Sequence, residues 1–263
     1  MCVWNDEFSG NGIDLSKWQI ISDYTDTDTI TYSSDSDVLS VSDGKLIMQT
    51  VKNGETYKIP RGLTTVGTMN YRYGYVEMKA KIPFKGQSGS RPSFWLKTIN
   101  GAAVGSTPSV FKPTNYCKNY LAEIDVFENS SYWNNSITPN IHKWYTGTDQ
   151  IDYNATKASD QYKYTFNEAD TDEHIFGFEW DAEKMIMSVD GDEYATFDLN
   201  MELNHKDHND DMRGFRDAAY LLLGNGINLT GDRSIDESVL PSAMKIDWIR
   251  LFQPIDGIEV YTK

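Results

Sequence analysis

The chain has 263 residues, with 39 Asp or Glu against 24 Lys or Arg and a formal net charge of −15; its sequence pI is about 4.6. That field repels a phosphate backbone, which argues against nucleic acid as a partner and, by the same physics, against heavily sulfated or uronate-rich polymers. No run approaches the ~18 apolar residues of a membrane span, and two cysteines, Cys2 and Cys117, are too few for a disulfide framework and are expected to be free thiols.

Strands dominate from the start. Trp4-Asn5-Asp6-Glu7-Phe8 already reads as folded domain, so no leader is read there and a mature, trimmed chain is expected. Asp23 to Asp37, rich in Thr, Ser and Asp, predicts an exposed loop with one short strand in it. Val76 to Ile82 alternates apolar and polar residues, which predicts a strand with one buried and one wet face. Lys97 to Tyr120 has no period and predicts a long loop just before an acidic segment, where loops often form part of a cleft. Phe176, Phe178 and Trp180 alternate, and Met185 to Val189 leads through Asp190-Gly191 into Tyr194 to Phe197, a hairpin signal. Asn209 to Arg216 is the best short helix candidate, and Ala243 to Phe252 reads as a long, largely buried strand. With no internal repeat and no linker, residues 1–263 are read as one all-β domain, a sandwich or jelly roll.

The acidic segment is Leu121-Ala122-Glu123-Ile124-Asp125-Val126-Phe127-Glu128. On a strand, Glu123 and Asp125 share a face while Ile124 and Val126 point into the core. Glu128 would fall on the core side, unless a β-bulge at Val126-Phe127 adds one residue and returns it to the face of the other two. Three carboxyls then stand in a row. Spacing alone leaves a solvated acidic face as an equal alternative, although crowding three acids on a half-buried strand calls for a reason. Close like charges raise at least one pKa and keep one group protonated as an acid. No GxSxG, P-loop or GxGxxG is present, which removes serine-hydrolase and nucleotide readings.

Here the sequence resembles glycoside hydrolase family 16. Glu123-x-Asp125-x-x-Glu128 looks like the active-site strand of the family's bulged branch, which includes laminarinases, agarases and carrageenases. Trp4 to Phe8 with Leu15 and Trp18, Tyr73 to Lys81, Arg91-Pro92-Ser93-Phe94-Trp95-Leu96, His174 to Trp180 with Val189-Asp190-Gly191, and Asp247 to Gln253 resemble further family segments in the family's order. The resemblance implies a concanavalin-like jelly roll of two curved antiparallel sheets with a concave substrate cleft. It implies an endo-acting retaining hydrolase in which Glu123 is the nucleophile, Glu128 the general acid and then base, and Asp125 the group that tunes Glu123. A neutral β-1,3(1,4)-glucan is the first substrate reading. A β-galactan or poly-lactosamine remains open, because laminarinases carry Trp where Arg91 stands and a Gly-Gly-x-Trp-Pro-Gly stretch near Leu223 to Asn228. A non-catalytic lectin on the same sandwich is the third reading.

Trp95, Trp133 and Trp144 are candidate platforms for sugar rings, against core packing as the ordinary role of such side chains. Arg91 is a candidate to bind hydroxyls or balance the acids, and His142 to bind sugar near the acid/base. No cofactor is expected for catalysis. The family resemblance implies a structural calcium, with Glu7, Gly44 and Asp247 as its candidates. A monomer acting on polysaccharide outside the cell or at its surface is expected.

Overall fold

A computed structural model describes residues 1–22, 24–83, 90–99, 121–128, 135–144, 151–152, 162–167, 172–200, 212–227 and 237–262. It is a sandwich of two large, mainly antiparallel sheets. Three strands form the middle of one sheet: Gly74–Lys81 lies between His174–Trp180 and Ser242–Phe252. The other sheet runs Ser136–Trp144, Leu121–Glu128, Ser90–Thr98, Ala219–Ile227 as consecutive neighbours. The acidic segment is thus an interior strand of that sheet, with no free edge.

The alternation read from the sequence explains the packing. Val76, Met78 and Ala80 are all fully buried, and they meet Phe94, Leu96, Ile124 and Val126 of the facing sheet in one core cluster. The Asp190-Gly191 hairpin forms as expected, both residues taking positive φ (53° and 88°), as the tight turn between right-twisted strands demands. The short strand inside the 23–37 loop is Ile30–Ser33. Of the 209–216 helix candidate only residues 212–216 are described, and they hold a 3-10 turn over Arg213–Arg216. The strand ending at Phe252 differs from its reading in one respect: only alternate residues are buried, and its register slips between Ile246 and Trp248.

The opening motif is held by one carboxylate. Asp6 accepts the Trp18 indole N–H at 2.8 Å and the Phe8 amide at 3.1 Å, in a place where Trp18 is fully buried. An indole left without its acceptor keeps the desolvation cost, so Asp6→Ala is expected to lower unfolding stability by about 1–3 kcal/mol. Urea denaturation would measure this, and an unchanged midpoint would show that Asp6 contributes nothing there.

Candidate active site

The register of the acidic strand is what builds the site. Against Ser90–Thr98, Lys97 pairs Glu123, Trp95 pairs Asp125 and Ser93 pairs Glu128; the pairing slips so that Val126 is the extra residue. The same slip appears against the other neighbour, between Asp125 and Glu128. This is the bulge anticipated from the offset of Glu128. Val126 and Phe127 are both fully buried, while Glu128 regains solvent on the face of Glu123 and Asp125. From the facing sheet the Tyr194 hydroxyl donates to the Val126 carbonyl, supplying a partner for a bulge carbonyl inside the protein.

Each carboxylate has its own neighbours. Glu123 and Asp125 are both buried. His142 Nε2 lies 2.9 Å from Asp125 Oδ2 and 3.9 Å from Glu123 Oε1. Lys97 Nζ lies 3.3 Å from Glu123 Oε2. Arg91 places one guanidinium nitrogen 2.8 Å from each oxygen of Glu128. Burial pushes the Glu123 carboxyl above the usual range, the Asp125 charge pushes it further, and Lys97 and His142 pull it back. Asp125 is raised too, first by burial and then by Glu128, with His142 and Arg91 opposing. Both carboxyls are therefore harder to ionise than exposed ones, and a charge on Asp125 works against a second charge on Glu123.

Beside the carboxylates lies a cleft of about 220 Å³, its walls including Tyr24, Tyr32, Arg91, Trp95, Glu128 and Gly226. Trp95 and Arg91, two of the expected sugar-binding residues, both line this cleft. Tyr24 and Tyr32 were not anticipated: their rings stack 4.6 Å apart at 12° on the cleft wall, and burial, with Tyr32 beside it, pushes the Tyr24 hydroxyl up to about 12. They come from the polar 23–37 stretch, Tyr32 on its short strand Ile30–Ser33, and the composition of that stretch marks neither of them. Lys97 was likewise not anticipated: the loop expected to open there begins later, since Lys97 and Thr98 still belong to the strand Ser90–Thr98.

His142 is placed differently from its reading. Antiparallel pairing sets it opposite Glu123 and sets Thr138 opposite Glu128, so His142 serves the Glu123–Asp125 end, not the Glu128 end. It is buried against Asp125. Trp144 ends the strand that carries His142, with its backbone paired to Leu121; its side chain lies outside the description, as do Trp133, Cys117 and residues 100–120. Cys2 is a free, exposed thiol. Asn225 turns inward, its amide accepting from the Ser90 hydroxyl and donating to the Met48 and Ser242 carbonyls.

The residues expected for calcium do not fit that ion. Both oxygens of Glu7 are taken by the Arg250 guanidinium, at 2.9 and 2.8 Å, which holds the carboxyl down at about 2. Asp247 lies 2.7 Å from Lys79 and 3.5 Å from Lys45. Gly44 sits in a tight turn with φ of 72°. A dication here would face three protein cations instead of free oxygens. Among the described residues, the one group close enough to share a metal is Glu123, Asp125 and His142, and the Lys97 ammonium beside Glu123 makes it a poor cation site.

Comparisons with known proteins bear on the fold and the family. The chain is 24% identical over 95% of its length to glucan endo-1,3-β-glucosidase A1 of Niallia circulans, of which it spans 37%. It spans less than half of each of the curated relatives it matches. Among solved structures, SCLam, a non-specific endo-β-1,3(4)-glucanase, superposes with a TM-score of 0.71 at 23% identity, covering 96% of this chain and 91% of that one. A structure described among endo-acting O-glycanases of human gut microbiota that initiate mucin breakdown gives 0.73 at 24%, covering 97% and 91%. These likenesses confirm the jelly-roll fold. The model of the family described as glycosyl hydrolases family 16 matches residues 25–213. Because that match takes in most of the chain and all three carboxylates, the protein belongs to glycosyl hydrolases family 16.

Proposed function

We propose that the chain is an endo-acting retaining β-glycoside hydrolase that cleaves internal linkages of a neutral polysaccharide, with laminarin-type β-1,3(1,4)-glucan as its substrate. The observation that carries this reading is the bulge, which brings Glu128 onto the face of Glu123 and Asp125. A lectin has no need of two glutamates flanking a buried aspartate, whereas double displacement needs a nucleophile and a proton carrier on one surface. In the first step a Glu123 oxygen bonds to the anomeric carbon as the glycosidic C–O bond breaks, and Glu128 gives its proton to the departing oxygen. In the second, Glu128 takes a proton from water, whose oxygen attacks the anomeric carbon and frees Glu123. The stacked tyrosines and Trp95 offer apolar faces to sugar rings. A polymer of this kind is met outside the cell, which supports the same place of action for this chain.

Arg91 favours a second reading, an endo-β-galactosidase acting on β-galactan or poly-lactosamine. Its guanidinium lines the cleft where laminarinases present an apolar ring, and it adds donors for axial hydroxyls. The mucin-related neighbour points the same way. A panel of laminarin, mixed-linkage glucan, agarose and keratan-type glycan separates the readings. Reducing ends released from the first two, with the β-anomer appearing first by proton NMR, are expected. Release from the last two alone would move the assignment to galactan, and binding without release from any would make the protein a lectin.

A further inference from the structure

Lys97 is among the most unusual residues of the molecule. Its side chain is almost wholly buried, on the face of its sheet that points away from the inter-sheet core. Buried ammonium groups are rare because desolvation disfavours the charge, and they persist where a partner or a function holds them. Lys97 has such surroundings. It pairs Glu123 across one strand boundary and Tyr220, fully buried, across the other. Its Nζ sits 3.3 Å from Glu123 Oε2 and 5.1 Å from the centroid of the Trp95 ring. An indole face and a carboxylate are two groups that each stabilise an ammonium in a dry site.

The position matters because of what else faces Glu123. Asp125 is on its own strand, with Glu128 beyond the bulge; His142 faces it from the strand Ser136–Trp144, Lys97 and Arg91 from Ser90–Thr98, and Tyr24 from the loop over the cleft. Burial and Asp125 both act against a charged Glu123, and of the cations Lys97 acts on it most strongly. A nucleophile must be ionised and aimed. His142 is nearer to Asp125 than to Glu123, and Arg91 is committed to Glu128, which leaves Lys97 as the cation whose nearest carboxylate is Glu123.

We propose that Lys97 is a positioning residue for the reaction: its ammonium, set between the Trp95 ring and Glu123, favours the charged form of Glu123 against burial and Asp125 and fixes the rotamer from which it attacks. The inference rests on the reading of Glu123 as nucleophile. It also assigns Trp95 a second task, shaping the dry pocket in which the ion pair works, beside presenting its ring to the cleft.

The test is the pH profile of kcat/KM for wild type, Lys97→Met, Lys97→Gln and Lys97→Arg. Removing an opposite charge within ~4–6 Å moves a carboxyl by about 1–3 pH units, so the acid limb of the two neutral variants is expected to move up by that much. Below the limb this is a loss of about tenfold per pH unit, recovered as pH rises; KM changes little, and Lys97→Arg returns the limb toward wild type. A purely structural lysine would lower the plateau and leave the limb in place, and that result in a folded variant overturns the proposal. A readout on unmodified Lys97 guards against variants that fail to fold. In labelled wild-type protein the Lys97 Cε resonance is expected to titrate with the acid limb, and to lose that step in Glu123→Gln; a resonance without the step in wild type also overturns it. Failure of the nucleophile reading has a different signature, namely hydrolysis that survives in Glu123→Ala. An unmoved limb together with an inactive Glu123→Ala removes only the role of Lys97.

Discussion

Glu123→Ala is expected to lower kcat on polysaccharide by about 10⁴–10⁶-fold, the scale seen when a covalent nucleophile is deleted. The argument is geometric before it is electrostatic. Glu123 has the Lys97 ammonium at 3.3 Å, and it stands opposite His142 and Lys97 on the two neighbouring strands. Asp125, more deeply buried and hydrogen-bonded to His142, is held as a partner and not as an attacker. Removing the Glu123 side chain vacates a space that a small anion can enter. Azide is then expected to restore turnover and to give the α-glycosyl azide, because one displacement from the nucleophile's side inverts a β-linkage. Glu123→Gln fills the same volume, so it is expected to be inactive, to keep the wild-type fold, and not to respond to azide. Activity within tenfold of wild type in either variant would remove Glu123 from the role.

The pH dependence follows from the same surroundings. Burial raises Glu123 and Asp125, so the attacking form becomes populated at a higher pH than an exposed glutamate would need. Activity therefore rises with pH through the shared titration of the pair. Replacing His142 with a neutral residue of similar size removes an opposing influence and moves that rise further up.

The sequence made the acidic strand legible because its signal is local. The alternation of acidic Glu123 and Asp125 with apolar Ile124 and Val126, and an odd offset at Glu128, are properties of eight consecutive residues, and they point to the bulge that forms. The hairpin at Asp190-Gly191 is local in the same way. What escaped depends on register between strands far apart in the chain. Lys97 looks like the first polar residue after an apolar run, and only pairing with Glu123 shows that it faces a carboxylate. His142 stands beside Glu123 and Asp125 and not beside Glu128 as expected, since one choice of antiparallel register decides which glutamate it meets. Tyr24 and Tyr32 lie in a segment whose composition says loop, and their stacking is a tertiary event. The calcium candidates failed for a related reason: Glu7 and Asp247 have carboxylates suited to a dication, but Arg250, Lys45 and Lys79 come from the neighbouring chain segments and occupy them.

Glu128→Ala is expected to lower kcat on polysaccharide by about 10²–10⁴-fold, the usual contribution of a general acid or base. The loss should depend on the leaving group, which no structural defect would imitate. In the resting arrangement Arg91 meets both oxygens of Glu128 at 2.8 Å, so an arriving glycosidic oxygen must take one of them from the guanidinium. A sugar alkoxide is a poor leaving group and needs that proton. A dinitrophenyl glycoside leaves without it, so the first step survives in the variant while the second, deprived of its base, becomes slow. A burst of phenolate followed by a low steady rate is the expected trace. Azide should then capture the glycosyl-enzyme from the opposite side and give the β-glycosyl azide, where Glu123→Ala gives the α form. Two variants separated by one bulge thus report opposite stereochemistry with the same anion. An α product from Glu128→Ala, or an equal loss on both kinds of substrate, would mean that the two carboxylates are assigned the wrong way round or that Glu128 takes no part in proton transfer.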